Sequence, residues 1–183
     1  MRITRIKLTN FGPHRRWELN NTGDKSIVEI IGLNGSGKSH ILHALKYAFT
    51  GDLTGKTESY ITSGEKNGEV LVEFEKEGIK GIITRTLNTP TKRSFKWGDE
   101  APLTAAGAVD KKMEEVLGAD KQTILNAVFI EQGEIAGLLA DTASQRIAIF
   151  SKLLNLHFLD KRLRNVDGWL DKLKSRVRDL RPT

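Results

Sequence analysis

Alternating hydrophobic and polar positions predict β-strands in two parts of the chain. Near the N-terminus, Ile and Leu residues mixed with Arg and Thr predict two short strands, at residues 3–8 and 17–19, around a turn at residues 10–13. A second alternating pattern covers residues 70–85 and is interrupted by a Lys-Glu-Gly turn at residues 76–78. This second pattern predicts a β-hairpin.

Between these two regions the pattern changes from strand-like to helical. Residues 26–31 are mostly β-branched and predict a strand that is buried on at least one face and ends at Gly32. A helix is predicted after it, with Gly51 suited to its C-terminus. Its apolar positions, at spacings of three and four, are Ile41, Leu42, Leu45, Ala48 and Phe49. Two further helices are predicted at residues 103–117 and 120–127.

Residues 142–183 show a capped helix followed by a heptad repeat. Residues 142–145 have the form of a capping box and predict a helix that breaks near Asn155. The seam beyond it, at alternating spacings of four and three, comprises Leu159, Leu163, Val166, Leu170, Leu173, Val177 and Leu180. We interpret it as one strand of a coiled coil, because an amphipathic helix packed on its own domain usually has a wider apolar stripe. The seam is cut off near Thr183, so we expect a fragment or one half of a split protein.

Composition indicates a soluble globular protein with one self-supporting core. The chain has 183 residues, of which 38% are hydrophobic and 28% charged, and it has no cysteine. Thiol catalysis, disulfides and zinc–thiolate sites are therefore excluded. No apolar run approaches the ~20 residues of a membrane-spanning helix, and we expect neither secretion nor membrane insertion. Of the net charge of +6, residues 156–183 contribute +4, with eight Lys or Arg and four Asp.

The most informative motif follows the predicted strand. Residues 32–39 read GLNGSGKS and fit the phosphate-loop pattern G-x-x-x-x-G-K-[ST] at every fixed position. Glycines let successive backbone N–H groups surround phosphate oxygens at a helix N-terminus, where the helix dipole favours anions. The residues expected to bind nucleotide are therefore Asn34, Gly35, Ser36, Gly37, Lys38 and Ser39. Lys38 supplies positive charge to the β- and γ-phosphates of ATP, and the Ser39 hydroxyl is a suitable ligand for Mg²⁺.

A complete P-loop NTPase also needs an apolar strand that ends in an acidic residue. Residues 127–131 are the best candidate, but they end in Glu131 rather than Asp. One interpretation is a self-contained P-loop kinase or small NTPase that uses Glu131. The other is that the acidic strand belongs to a separate part of the ATPase.

The phosphate loop and a segment about ninety residues later carry a specific resemblance. Residues 34–39 read NGSGKS and residues 128–135 read VFIEQGEI, and together they resemble the N-terminal half of the SbcC and Rad-fifty DNA-repair ATPases, which are ABC-type and SMC-like. Asn10-Phe11 followed by His14 also resembles that family. The similarity covers most of residues 1–165, with only a loose match in the middle.

This resemblance implies an α/β P-loop NTPase fold and further site residues. Residues 1–155 would form the N-terminal lobe, with flanking antiparallel strands, and residues 156–183 the base of a coiled coil. Gln132 would be the Q-loop glutamine, which reaches Mg²⁺ and the attacking water. Nucleotide would also be lined by Ile61, Thr62 and Ser63, and contacted by the backbone of His40.

Two departures from the family pattern concern the residues around the phosphate loop. Family members often have a basic residue directly after the Asn-Phe pair, whereas this chain has Gly12 and Pro13, with Arg15 and Arg16 slightly later. Which arginine takes that role is open. His40 occupies a position that is usually Ser or Thr in the family.

The resemblance implies an ATP hydrolase that is incomplete in this chain. A Leu-Ser-Gly-Gly-like segment, an apolar strand ending in Asp-Glu and a switch histidine lie in the family's C-terminal half, and none is found in this sequence. Hydrolysis would then require the C-terminal ATPase lobe and a second head, with two ATP molecules between the heads. An SMC-like head for chromosome organisation is the remaining alternative.

The family's partners are double-stranded DNA and an SbcD-type nuclease at the coiled-coil base, for which residues 142–170 are candidates by position. The expected location is the cytoplasm or nucleoid of a prokaryote, or the nucleus of a eukaryote. Candidate DNA-contacting residues are His14, Arg15, Arg16, Lys92, Arg93, Lys161, Arg162, Arg164, Lys172, Lys174, Arg176 and Arg178.

Overall fold

The computed structural model describes residues 1–20, 27–127 and 129. Residues Met1–Lys121 form one compact unit, and the second unit, Gln122–Thr183, is described at only a few positions. The elements are β1 (Arg2–Phe11), β2 (His14–Asn20), α1 (Lys38–Thr50), a 3₁₀ turn (Thr57–Tyr60), β3 (Glu69–Lys76), β4 (Ile79–Thr86), β5 (Arg93–Trp97), α2 (Ala106–Leu117) and α3 (Lys121–Ala127). In these parts of the chain, no helix has the length and apolar character needed to cross a membrane.

The five strands form one antiparallel sheet in the order β2-β1-β3-β4-β5. Both predicted pairs of strands are confirmed, and the N-terminal pair is longer than its sequence pattern suggested. Leu8 lies opposite Trp17 on one side and opposite Val70 on the other, so these apolar side chains share one face of the sheet. The opposite face carries charged pairs such as Arg5 with Glu73.

Helix α1 packs against the apolar face of the sheet. Its buried residues include Ile41, Ala44 and Phe49, and the Phe49 ring meets the Phe74 ring edge-on at a centroid distance of 5.4 Å. The helix contacts β1, β3 and β4, which are the central strands. Because the phosphate loop leads directly into α1, this packing also determines where the loop lies.

The structure contradicts the strand predicted at residues 26–31, of which it describes residues 27–31. Residues 27–31 belong to no strand or helix, and Ile27 and Ile31 are 86% and 83% exposed. A strand requires a neighbour for its backbone hydrogen bonds, and all five described strands pair with one another instead. β-Branched composition alone therefore did not determine the local structure.

In the middle of the chain, the structure confirms some of the predicted elements and not others. Helix α2 ends at Leu117 as predicted but begins three residues later, because Leu103 exchanges two backbone hydrogen bonds with Phe95. Strand β5, which contains Phe95, was not predicted, since only two of its five residues are apolar. Helix α3 is confirmed. The predicted helix from residue 142 and the heptad seam lie outside the described residues.

A buried arginine joins the sheet to helices α1 and α2. Arg85 on β4 is 1% exposed, and its Nε donates a hydrogen bond of 2.8 Å to the backbone oxygen of Ala48 in the last turn of α1. Its Nη2 pairs with Oδ1 of Asp110 on α2 at 3.1 Å. Burial lowers the pKa of the Arg85 guanidinium, and the hydrogen bond to Asp110 opposes this shift.

We expect the substitution Arg85→Met to lower the free energy of unfolding by about 2–3 kcal/mol, because it removes the Arg85 donor from the Ala48 carbonyl and the nearer of two arginines from Asp110. Chemical denaturation measures the change. Arg2→Met is the matched control, since it removes a half-exposed pair with Glu75 and should cost less than about 1 kcal/mol. Equal losses in the two variants would contradict a stabilising role for Arg85.

Candidate nucleotide-binding site

The phosphate loop has the backbone conformation that its glycines predict. Gly35 and Gly37 have φ angles of +82° and +91°, which side chains other than glycine rarely adopt. The backbone N–H of Ser36 donates to the oxygen of Leu33 at 3.2 Å, so the loop turns tightly before α1 begins at Lys38. The N-terminal N–H groups of α1 therefore adjoin the loop, as an anion site requires.

Lys38 folds back over this loop. Its Nζ donates hydrogen bonds of 2.7 Å to the backbone oxygens of both Gly32 and Leu33. These two bonds hold the ammonium beside the loop. Its positive charge therefore lies where a bound phosphate would need it.

The remaining polar groups of the loop are open to solvent. Asn34, Gly35, Ser36 and Ser39 are exposed, and the Ser39 hydroxyl stands in the first turn of α1. An exposed hydroxyl in the first turn of a helix, at the residue that follows the loop lysine, suits a magnesium–phosphate pair. The described residues of the loop thus fit the predicted ligand.

The turn between β1 and β2 packs against the start of α1. Gly12 has a φ of +56°, and a Cβ added there would lie 2.2 Å from Cδ2 of His40. The His40 ring also contacts the rings of Phe11 and Tyr60, at centroid distances of 6.5 and 6.2 Å. His40 therefore fills the space beside Gly12 that a larger residue would need.

The His40 side chain therefore has a packing role, in addition to the hydrogen bond that its backbone makes. The His40 N–H donates to the oxygen of Gly37 at 2.9 Å, within the first turn of α1. Burial lowers the pKa of the His40 imidazole, and the nearby His43 and His14 lower it further. Sequence reasoning missed the contact of His40 with Gly12, although the two unusual residues at these positions were the available signal.

The segment at residues 61–63 lies along the same turn. Ile61 forms a bridge with Phe11, and Thr62 donates twice, from its N–H to the oxygen of Asn10 at 3.1 Å and from Oγ1 to the oxygen of Gly12 at 2.7 Å. Ser63 is exposed. The structure thus brings this segment to the β1–β2 turn, and its contact with nucleotide stays a prediction.

The same turn also contacts the phosphate loop itself. Nε2 of His14 lies 3.1 Å from the backbone oxygen of Gly37. A Cβ on Gly37 would lie 2.5 Å from both Nε2 of His14 and Cγ of Pro13. The sequence offered no physical signal for this hydrogen bond.

Three of the candidate arginines lie among the described residues. Arg15 pairs with Glu65 at 2.8 Å, and Arg16 is an exposed residue of β2 opposite Thr9. Arg93, a candidate DNA contact, lies 3.7 Å from Oδ2 of Asp110. Gln132 and Glu131 lie outside the described residues, as do the basic residues of the tail.

We expect Gly12→Ala to lower the free energy of unfolding by about 2 kcal/mol or more, because strain at positive φ adds to a collision with His40. In a His40→Ser background the same change should cost about 1 kcal/mol less, since only the strain remains. Denaturant titration of the four proteins measures this coupling.

Gly78→Ala is the matched control for strain alone. Gly78 has a φ of +78°, and no atom lies within 4 Å of an added Cβ. Gly12→Ala could lower the free energy of unfolding equally in the unsubstituted chain and in the His40→Ser background. That result would show that the His40 ring does not constrain residue 12.

The chain is similar to known ATPases in both sequence and structure. The family described as AAA domain matches residues 5–180. DNA double-strand break repair Rad50 ATPases are similar in sequence: that of Methanocaldococcus jannaschii is 34% identical over 165 residues, and that of Thermoplasma acidophilum is 30% identical over 187. The alignments cover 88% and 98% of this chain, which spans only 16% and 21% of the length of those relatives.

Solved structures show the same fold. One solved structure comes from work on ATP-driven dimerization and DNA-stimulated activation of SMC ATPases. It has a TM-score of 0.59 at 17% identity, and the match covers 84% of this chain and 99% of that structure's chain. An SMC head bound to the C-terminal winged-helix domain of ScpA has a TM-score of 0.57 at 18% identity, covering 82% and 50%. These similarities confirm the predicted P-loop ATPase fold. The chain belongs to the AAA domain family, and within the part that aligns it is similar in sequence to Rad50 ATPases.

Proposed function

We propose that this chain is the ATP-binding lobe of a DNA double-strand break repair ATPase. The observation that carries the proposal is the phosphate loop, where two positive-φ glycines precede α1 and the Lys38 ammonium lies over the loop backbone. The names of the sequence relatives support the choice of DNA repair over other P-loop activities.

Each residue of the loop has a distinct role in this proposal. Backbone N–H groups of the loop and of α1 bind the phosphate oxygens, and Lys38 places its charge on the β- and γ-phosphates. Ser39 holds Mg²⁺, which neutralises phosphate charge when it is bound. Gln132 acts as the Q-loop ligand, and the nucleotide is further lined by the segment at residues 61–63.

The proposed ATPase is completed by a C-terminal lobe. The chain leading into the phosphate loop exposes four large apolar side chains, Ile27 at 86%, Val28 at 48%, Ile31 at 83% and Leu33 at 85%. Contiguous exposed apolar residues are typical of surfaces that are covered by a partner. A strand of the C-terminal lobe next to residues 27–31 would cover them and supply the missing backbone hydrogen bonds.

Further partners follow from the same assignment. Two such heads would enclose two ATP molecules, and ATP would act as a switch for double-stranded DNA and for an SbcD-type nuclease at the coiled-coil base. Residues 1–155 are then the lobe and residues 156–183 the start of the coil, with the cytoplasm or nucleoid as the place of action. DNA contact through the basic residues should weaken steeply with salt.

The isolated chain should bind ATP with Mg²⁺ but hydrolyse it slowly, and turnover should rise at least tenfold when the C-terminal lobe is added. Lys38→Ala should remove the stimulated activity, because it removes the positive charge that stabilises the β- and γ-phosphates. Phosphate release and nucleotide titration measure both effects.

Rapid turnover by the 183 residues alone would contradict the composite ATPase. The self-contained NTPase would then be favoured, and Glu131→Gln should abolish that turnover while ATP binding survives.

A second prediction concerns the apolar residues before the loop. Ile31→Glu should leave the stability of the isolated chain within about 0.5 kcal/mol, because the side chain is exposed, but it should reduce stimulation by the C-terminal lobe at least tenfold. Ile79→Glu is the matched control, an exposed isoleucine on β4 that should leave stimulation unchanged. Equal stimulation of the two variants would exclude this surface as the lobe interface.

A further inference from the structure

The β1–β2 turn contacts the phosphate loop through a hydrogen bond that has no part in the phosphate and magnesium contacts described above. Nε2 of His14 lies 3.1 Å from the oxygen of Gly37, and the residue at 37 is buried. We propose that His14 is a positioning residue, which orients the peptide group between Gly37 and Lys38 so that its N–H faces the bound phosphate. The inference rests on the proposed ATP-binding function and deepens it.

The argument starts from the geometry of the peptide group. In a planar trans peptide the C=O and the N–H point in opposite directions. The peptide that joins Gly37 to Lys38 carries the carbonyl that His14 binds and the N–H of Lys38. The same carbonyl also accepts the His40 N–H at 2.9 Å in the first turn of α1, so the hydrogen bond from His14 is a second restraint on it. This second bond holds the carbonyl toward the β1–β2 turn and therefore directs the Lys38 N–H away from the turn.

Such a constraint matters most at a glycine. Gly37 has a φ of +91° and no side chain, so its own conformational preferences restrict the peptide only weakly. Pro13 and His14 pack so closely against Gly37 that a Cβ would lie 2.5 Å from each. The turn thus restrains this residue both by contact and by the hydrogen bond.

His14 is itself well placed to act as an anchor. It is the first residue of β2 and lies opposite Phe11, so the sheet fixes its backbone. Its ring lies 6.1 Å from that of Trp17. Because a carbonyl oxygen can only accept, Nε2 carries the proton and His14 is the donor.

This arrangement gives the turn a function despite its unusual sequence. Gly12 stands where a basic residue is common in the resembled family, and its neighbour His40 leaves no room for a side chain. The turn cannot contribute charge from residue 12. It still contributes to the phosphate site, because it orients the backbone N–H of Lys38.

The test compares His14→Phe, which keeps an aromatic ring but loses the donor, with His14→Gln, whose amide Nε2 can replace the imidazole Nε2. ATP with Mg²⁺ is titrated into the complete 183-residue chain, and melting temperatures are recorded. We expect His14→Phe to weaken ATP binding about 5- to 10-fold, the effect of one hydrogen bond. His14→Gln should stay within about threefold of the unsubstituted chain, and all three melting temperatures should agree within about 3 °C.

A second readout does not depend on ATP. Nitrogen-15 relaxation of the Lys38 amide in the ligand-free chain should show greater mobility in His14→Phe than in His14→Gln or the unsubstituted chain. Unchanged mobility in His14→Phe, or equal losses of ATP binding and of melting temperature in both variants, would overturn the positioning role. Failure of the unsubstituted chain to bind ATP would instead refute the proposed function, and the relaxation data would still decide the role of His14.

Discussion

The packing of α1 on the antiparallel sheet is the interaction on which the remaining structure depends. Ile41, Ala44 and Phe49 are buried on this face, and each large apolar side chain buried there contributes about 1.5–3 kcal/mol. The helix cannot rotate without exposing this face. Its N-terminus, and with it the phosphate loop, is therefore held at a fixed place beside the β1–β2 turn. Arg85 fixes the other end of the helix by binding the Ala48 carbonyl.

Much of the fold could be predicted from the sequence because its signals are local. The alternation of Val70, Val72 and Phe74 requires a strand with one buried face, and the structure has it. The spacing of apolar residues from Ile41 to Phe49 requires a helix, and Gly51 ends it with a left-handed conformation. The loop motif likewise determines its own backbone, since the positive φ angles of Gly35 and Gly37 favour glycine.

The parts that could not be predicted depend on distant contacts. Residues 27–31 have strand composition, but no described strand lies beside them, and composition carries no information about a missing neighbour. Strand β5 has only two apolar residues in five and is stabilised by pairing with β4 and with Leu103. In the site, the hydrogen bond from His14 to Gly37 joins residues 23 positions apart, and only the folded chain brings them together. The role of Gln132 rests on resemblance alone.

The close contact between Gly12 and His40 has a consequence for how this sequence could have diverged from its relatives. A basic residue at position 12 requires a small residue at position 40, because the imidazole occupies the space in which the new side chain would begin. Enlarging residue 12 first meets a steric penalty, whereas shrinking residue 40 first opens the path. The two positions are thus expected to be inherited as a pair, and exchanging the turn between homologous proteins requires exchanging the start of the helix with it.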